Sequence, residues 1–153
     1  LYGAFVAGLK AGYAFNTFPK MLGHWIPPGL WEMESAVANL LHNPTLVQFL
    51  HRTLGWILFA IAVAIALLAL SVWVPRQTRM LAFGMAGFTL LQFILGVLTL
   101  VLAIPLGMAV MHQFTACVLL GILVWLLHDL AELCSIKHSA PDPVAGQPGE
   151  LHH

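Results

Sequence analysis

The sequence is divided into four apolar segments by polar stretches. The first covers residues 1–15, the second about 44–73, the third about 80–103 and the fourth about 106–130. A helix needs about 20 apolar residues to cross the hydrocarbon of a bilayer, so the last three segments are long enough and the first is only part of a span. The pattern predicts an all-α fold, a polytopic membrane four-helix bundle with a partial first helix.

Composition supports the membrane class and excludes others. Hydrophobic residues make up 60% of the chain and charged residues only 8%, whereas a soluble domain carries about 25% charged residues. The formal net charge is zero and there is no basic stripe, so nucleic acid is not an expected partner. Cys117 and Cys134 lie about 25 Å apart along one predicted helix and cannot bridge each other.

The loops predict the orientation of the chain. Arg76 and Arg79 lie between the second and third segments, which marks that side as cytoplasmic by the positive-inside rule. The loop of residues 16–43 then lies outside, and its stretch LWEMESAVANLL is patterned as a short extramembrane amphipathic helix. Residues 1–130 are expected to form one transmembrane domain, followed by a disordered cytoplasmic tail of residues 131–153 that is rich in Pro, Gly and polar residues.

Two histidines are predicted to lie at the same depth in the bundle. Asn43 is a good N-cap and Pro44 suits the first helical position, and Pro105 is expected to play the same part for the fourth segment. His51 follows Pro44 by seven residues, and His112 follows Pro105 by seven. Seven residues of helix rise about 10 Å, so both imidazoles should lie equally far below the outer surface.

Such a pair of histidines is suited to holding haem iron. Neutral imidazoles ligate metals, and haem iron accepts two axial histidines from facing helices of a bundle. Residues 1–130 are therefore predicted to be a haem-binding bundle with His51 and His112 as metal ligands. The residues expected to line the cofactor are small, polar or basic: Gly55 and Ala116 one turn beyond the histidines, Gln92, Gly96 and Thr99 on the third segment, and Arg52 facing a haem propionate.

Other interpretations of the same residues stay open. The histidines and Gln92 could be hydrogen-bond partners between helices, and Arg52 could extend to the headgroups. The histidines could also line a proton or substrate path in a transport module, or the chain could be a structural membrane subunit. No catalytic residue can be assigned, and nothing clusters as four zinc ligands would.

Several motifs in order resemble one enzyme family. These are GAFVAGLKAGYAFNTFPKM, WIPP, NPTLVQFLHRTLGW and QFILGVLTLVLAIPLGMAVMHQFTACVLL. Together they resemble the carboxy-terminal half of heme A synthase of the proteobacterial and mitochondrial type, over about residues 1–127. His51 matches the histidine of the family's HR motif and His112 that of its HQ motif.

The resemblance implies a function and its limits. The family is an oxidoreductase that oxidises the C8 methyl of heme O to the formyl group of heme A for terminal oxidases. It has two similar four-helix halves, and this half is similar to the one that holds a b-type haem between two histidines. Heme O and heme A would bind in the absent amino-terminal half, so this fragment is not expected to be catalytic alone.

The same resemblance predicts location and partners. The chain is expected in the bacterial or mitochondrial inner membrane, with its haem site near the outer side. Its expected partners are haem, membrane lipid, the missing half or an oligomer partner, and an electron donor that the sequence does not identify. A bis-histidine cytochrome subunit of the membrane is the alternative function.

Overall fold

The computed structural model describes residues 2–139 of the 153, with side chains described up to residue 135. It contains six helices in chain order: α1 (Tyr2–Gly8), α2 (Ala11–Ala14), α3 (Ala36–His42), α4 (Pro44–Ser71), α5 (Arg76–Val101) and α6 (Leu106–Ser139). Within the described part of the chain there is no β-strand, only an isolated bridge between Met21 and His24. The predicted all-α class is confirmed.

The three long helices form an up-and-down bundle. α5 packs against both α4 and α6, and α1 packs against α4. α4, α5 and residues Leu106–Ser135 of α6 are each long and apolar enough to cross a membrane. Large apolar side chains cover the outside of the bundle, and Trp73 is 89% exposed. A continuous apolar surface of this kind suits contact with lipid rather than water, and the chain is an integral membrane protein.

The two ends of the bundle differ in character. The end where α4 and α6 begin carries the loop of residues 15–43, and we call it the loop end. The other end, where α5 begins, carries Arg76 and Arg79, and we call it the arginine end. At the arginine end Nε of Arg79 donates to the carbonyl of Ala69 at 3.1 Å, so this guanidinium caps the last turn of α4.

The helix boundaries correct several expected limits. Pro44 is the first residue of α4, as predicted. Pro105 instead lies one residue before the start of α6, and its carbonyl accepts a hydrogen bond from the amide of Ala109. α6 continues to Ser139, so residues 131–139 of the expected tail are helical. Alanine, leucine and glutamate in that stretch are good helix formers, which explains the extension. The rest of the expected tail lies outside the described residues.

The first apolar segment is not one helix. α1 ends at Gly8, Lys10 has a left-handed backbone with φ of 52°, and α2 begins at Ala11. A Cβ added to Gly12 would lie 2.6 Å from Cδ1 of Ile104 in the turn between α5 and α6. A glycine at this position leaves room for the side chain of Ile104. Gly8 has no atom within 4 Å of such a Cβ, so only Gly12 has that role.

Two buried asparagines attach the loop to α4. Asn43 caps α4, because its Oδ1 accepts from the amides of Thr45 and Leu46 at 2.9 and 3.3 Å. Its Nδ2 donates to the carbonyls of Gly29 and Leu30 and to Oδ1 of Asn39. Asn39 in turn bonds both backbone groups of Met33. The expected N-cap is confirmed, and the same side chain also fixes the loop.

We expect Asn43→Ala to destabilise the fold more than a simple cap deletion. Loss of an N-cap costs about 1 kcal/mol, and each buried polar group left without a partner costs about 1–3 kcal/mol more. Thermal unfolding in detergent, followed by circular dichroism, measures the change. Ser35→Ala is the matched control, since Ser35 caps the exposed start of α3 and bonds only Ala38 through its hydroxyl. Equal losses for the two variants would contradict the prediction.

A second polar contact joins α5 to α6 at the arginine end. The carboxylate of Asp129 accepts from the hydroxyl of Thr78 and, at 3.0 Å, from Nε2 of Gln77. Thr78 is buried. Asp129 is therefore a contact between α5 and α6.

We expect Asp129→Ala to lower the midpoint of thermal unfolding. The substitution leaves the buried hydroxyl of Thr78 without its acceptor, at a cost of about 1–3 kcal/mol. Glu132→Ala is the control, because Glu132 is exposed and lies 3.9 Å from the equally exposed His128. A melting temperature for Asp129→Ala no lower than that of the control would refute the role of this contact.

Candidate haem site

The two predicted histidines meet in the bundle. His51 lies on α4 and His112 on α6, and their ring centres are 6.4 Å apart with the ring planes at 90°. Both rings are half-buried. The equal spacing from the two prolines therefore places them at one depth, as the sequence predicted.

The separation of the rings agrees with two ligands on one metal. A metal–imidazole bond is about 2 Å long, and the ring centre lies about 1.1 Å beyond the bonded nitrogen, which gives about 6 Å between two axial rings. The ring of His51 makes no hydrogen bond within the described part of the chain, and Nδ1 of His112 is buried without a partner. No group of three or more His, Cys, Asp or Glu side chains that could hold a metal occurs among those residues. Two imidazoles in this arrangement are a donor set that haem iron accepts.

The ring of His112 lies against α5. Nε2 of Gln92 is 3.4 Å from Nε2 of His112, and Oε1 of Gln92 is buried without a partner. A Cβ added to Gly96 would lie 2.9 Å from Cε1 of His112. The absence of a side chain at Gly96 therefore lets the imidazole of His112 lie against the backbone of α5. The structure brings both predicted residues to His112, while the hydroxyl of Thr99 donates to Leu95 in its own helix.

The ring of His51 lies against α1. A Cβ added to Gly3 would be 3.5 Å from Cε1 of His51. Sequence reasoning did not select Gly3, because the first segment carried no ionisable residue near it. The small residues of GAFVAG were the signal that could have identified a close approach at this position.

The other small residues have separate surroundings. A Cβ on Gly55 would lie 4.0 Å from Cδ2 of Phe93, whose ring is 4.5 Å from that of Trp56. Gly55 therefore lies next to the ring of Phe93 on α5. Ala116 is half-buried one turn beyond His112 on α6. That these two residues line a cofactor stays a prediction.

Arg52 and Gln48 fix the loop to α4. Arg52 donates from its two terminal nitrogens to the carbonyls of Thr17 and Phe15 at 2.7 and 2.6 Å, and Nε2 of Gln48 donates to Phe15 at 2.9 Å. Nε of Arg52 and Oε1 of Gln48 are buried without partners. Gln48 is only 2% exposed and was missed by sequence reasoning. The pairing of Arg52 with a propionate stays a prediction.

Fold and site define the class: an integral membrane helical bundle in which two histidines from different spanning helices face each other. Residues 1–124 match the COX15-CtaA family, described as cytochrome oxidase assembly protein. The match covers most of the chain, and the chain belongs to this family.

The relatives are named as heme A synthases. The heme A synthase of Rhizorhabdus wittichii is 42% identical over 135 residues, which are 85% of this chain and 36% of that protein. The heme A synthases COX15 of Bos taurus and Homo sapiens are each 38% identical over 130 residues, again 85% of this chain and 32% of theirs. The chain thus spans about a third of the length of these relatives. No solved structure matches it significantly.

Proposed function

We propose that this chain is the b-type haem-binding half of a heme A synthase. The observation that carries the proposal is the facing pair His51 and His112, with ring centres 6.4 Å apart on two membrane-spanning helices. The names of the relatives supply the biosynthetic context. The complete enzyme would oxidise the C8 methyl of heme O to the formyl group of heme A.

Residues of α1 and α5 lie beside the pair. The amide of Gln92 lies 3.4 Å from Nε2 of His112, and it would have to turn away for the lone pair of that nitrogen to bind iron. Gly3 and Gly96 let α1 and α5 approach the two rings closely. The two glycines therefore leave the space that the imidazoles occupy beside these helices.

The two histidines define the role proposed for this half. His51 and His112 would both be ligands of the haem iron, and haem held in this way would supply one-electron transfer. Oxidation of heme O would then belong to the other half of the enzyme. The half described here supports that reaction by electron transfer or by holding the structure, and it is not catalytic alone. The expected location is an inner membrane, with the loop end on the outer side.

The experiment is a reduced-minus-oxidised absorption spectrum of the purified chain in detergent, with a pyridine haemochrome assay after reconstitution with haem. Sharp b-type bands and about one haem per chain are the expected result for a bis-histidine site. Absence of bound haem, both in this chain and in a full-length relative treated identically, would overturn the proposal. Haem bound only by the longer protein would restrict it to the assembled enzyme.

A further inference from the structure

A groove at the loop end is separate from the histidine pair. Its volume is about 250 Å³, and it lies between the loop and one face of α4, lined by Pro19, Met21, Trp25, Phe49, Arg52, Thr53 and Trp56. We call it the arginine groove. Pockets for drug-sized ligands measure about 300–1,000 Å³, so the arginine groove has room for a headgroup and not for a macrocycle.

The groove faces away from the haem ligands. Successive residues of an α-helix are about 100° apart around its axis, which puts Phe49, Thr53 and Trp56 at about 140–160° from His51. Arg52 is about 100° from His51 by the same arithmetic. Neither His51, Gln92 nor His112 lines the groove. A ligand in it would therefore contact the lipid-facing side of α4.

The charge of Arg52 has no counter-charge in the described part of the chain. Its terminal nitrogens donate to two neutral carbonyls, and no carboxylate lies within ion-pair distance among those residues. Its Nε is buried without a partner. Half-buried charges are normally paired, and a guanidinium with unused hydrogens is well suited to an oxyanion such as phosphate.

The surroundings specify where that anion comes from. Lys20 lies beside the groove, with its Nζ 5.6 Å from the centre of the Trp25 ring. Trp25 in the loop is 67% exposed and Trp56 on α4 is 47% exposed, and tryptophan is enriched in the headgroup region of the bilayer. Two cations beside two exposed indoles fit the phosphate of a lipid whose chains lie along α4.

We propose that the arginine groove binds the phosphate headgroup of an anionic phospholipid. The phosphate accepts hydrogen bonds from Arg52, and the indole of Trp25 lies beside the headgroup. Trp56, about 6 Å further along α4 than Arg52, contacts the lipid chains. Lys20 adds a second positive charge at the mouth. The bound lipid would then hold the loop against α4 together with the carbonyl contacts of Arg52.

The test uses tryptophan quenching by lipids with brominated chains. The 153-residue chain carrying Trp31→Phe, Trp73→Phe and Trp125→Phe keeps only the two indoles of the groove. It is placed in phosphatidylcholine vesicles containing a small fraction of brominated phosphatidylglycerol or brominated phosphatidylcholine. Fluorescence is divided by that in the same vesicles without bromine, so constant quenching by any bound haem cancels.

Brominated phosphatidylglycerol is expected to quench at lower mole fractions than brominated phosphatidylcholine. Each basic residue near an anionic surface contributes about fivefold in binding, so Arg52→Gln should reduce the preference about fivefold. Lys20→Gln should reduce it similarly, and this exposed loop residue can be replaced without losing a carbonyl contact. Arg79→Gln, at the arginine end, is the matched control and should leave the preference unchanged.

Three outcomes would overturn the proposal. Equal quenching by the two brominated lipids would show that the groove has no preference for an anionic headgroup. Displacement of brominated phosphatidylglycerol by inorganic phosphate would assign the groove to free phosphate. Loss of haem in Arg52→Gln with an intact lipid preference would assign the guanidinium to a propionate. Should Arg52→Gln fail to fold, the result for Lys20→Gln decides.

Discussion

Replacing His112 with alanine is expected to remove haem from the protein. The substitution takes away one of the two imidazoles whose ring centres are 6.4 Å apart, and the apolar helices around them offer no substitute ligand. Loss of an outer-shell partner alone reduces metal affinity about 10–100-fold, so loss of a ligand should exceed that range. His51→Ala is expected to have the same effect, because a single remaining imidazole would leave the haem iron with only one of its two histidine ligands.

The measurement is haem per chain by pyridine haemochrome, together with the reduced-minus-oxidised spectrum. His128→Ala is the matched control, since His128 lies on the same helix but is exposed at the arginine end beside Glu132. It should keep its haem. A haem content and spectrum for both His51→Ala and His112→Ala equal to those of His128→Ala would exclude the pair as ligands.

A rescue experiment separates lost ligation from lost folding. His112→Gly leaves a space the size of an imidazole beside Gly96, and free imidazole added to the detergent solution can enter it. Return of the low-spin spectrum with imidazole is expected if His112 acts as a ligand. If the variant folds normally but imidazole restores nothing, the ring has another role in the bundle.

The positions of the two histidines could be predicted because they depend on local signals. Pro44 fixes the start of α4, Pro105 fixes that of α6 within one residue, and equal spacing then sets equal depth. The polar residues Gln92 and His112 could be assigned to the inside for a related reason. A membrane helix is apolar on all sides, so isolated polar groups are the main indication of which face is buried.

The attachments of the loop could not be predicted in this way. Gln48 and Arg52 donate to carbonyls of residues more than 30 positions earlier, and backbone carbonyls carry no sequence signal. The close approach of Gly12 to Ile104, two residues after the break at Lys10, is likewise a contact between distant parts of the chain. Sequence periodicity records neighbours along one helix and not these long-range contacts.

Gly96 offers the sharpest test of how α5 positions the haem ligand. We expect Gly96→Ala to weaken haem binding without destabilising the bundle. Its new Cβ would lie 2.9 Å from Cε1 of His112, closer than unbonded carbons approach, so the imidazole must move. A ligand displaced from its orienting surroundings is expected to lose about 10–100-fold in affinity, as when an outer-shell contact is removed.

The stability of the Gly96→Ala variant should rise, although its affinity for haem falls. Alanine is favoured over glycine in a helix interior by about 0.8–1.0 kcal/mol, and the displaced group is the end of a side chain that can rotate. Gly87→Ala is the matched control on the same helix, because a Cβ there meets nothing within 4 Å. Both variants should melt no lower than the parent chain, while only Gly96→Ala should show a weakened haem titration and an altered spectrum. Identical haem titrations for the two would mean that α5 does not constrain His112, and the ligand would then be oriented by its own helix alone.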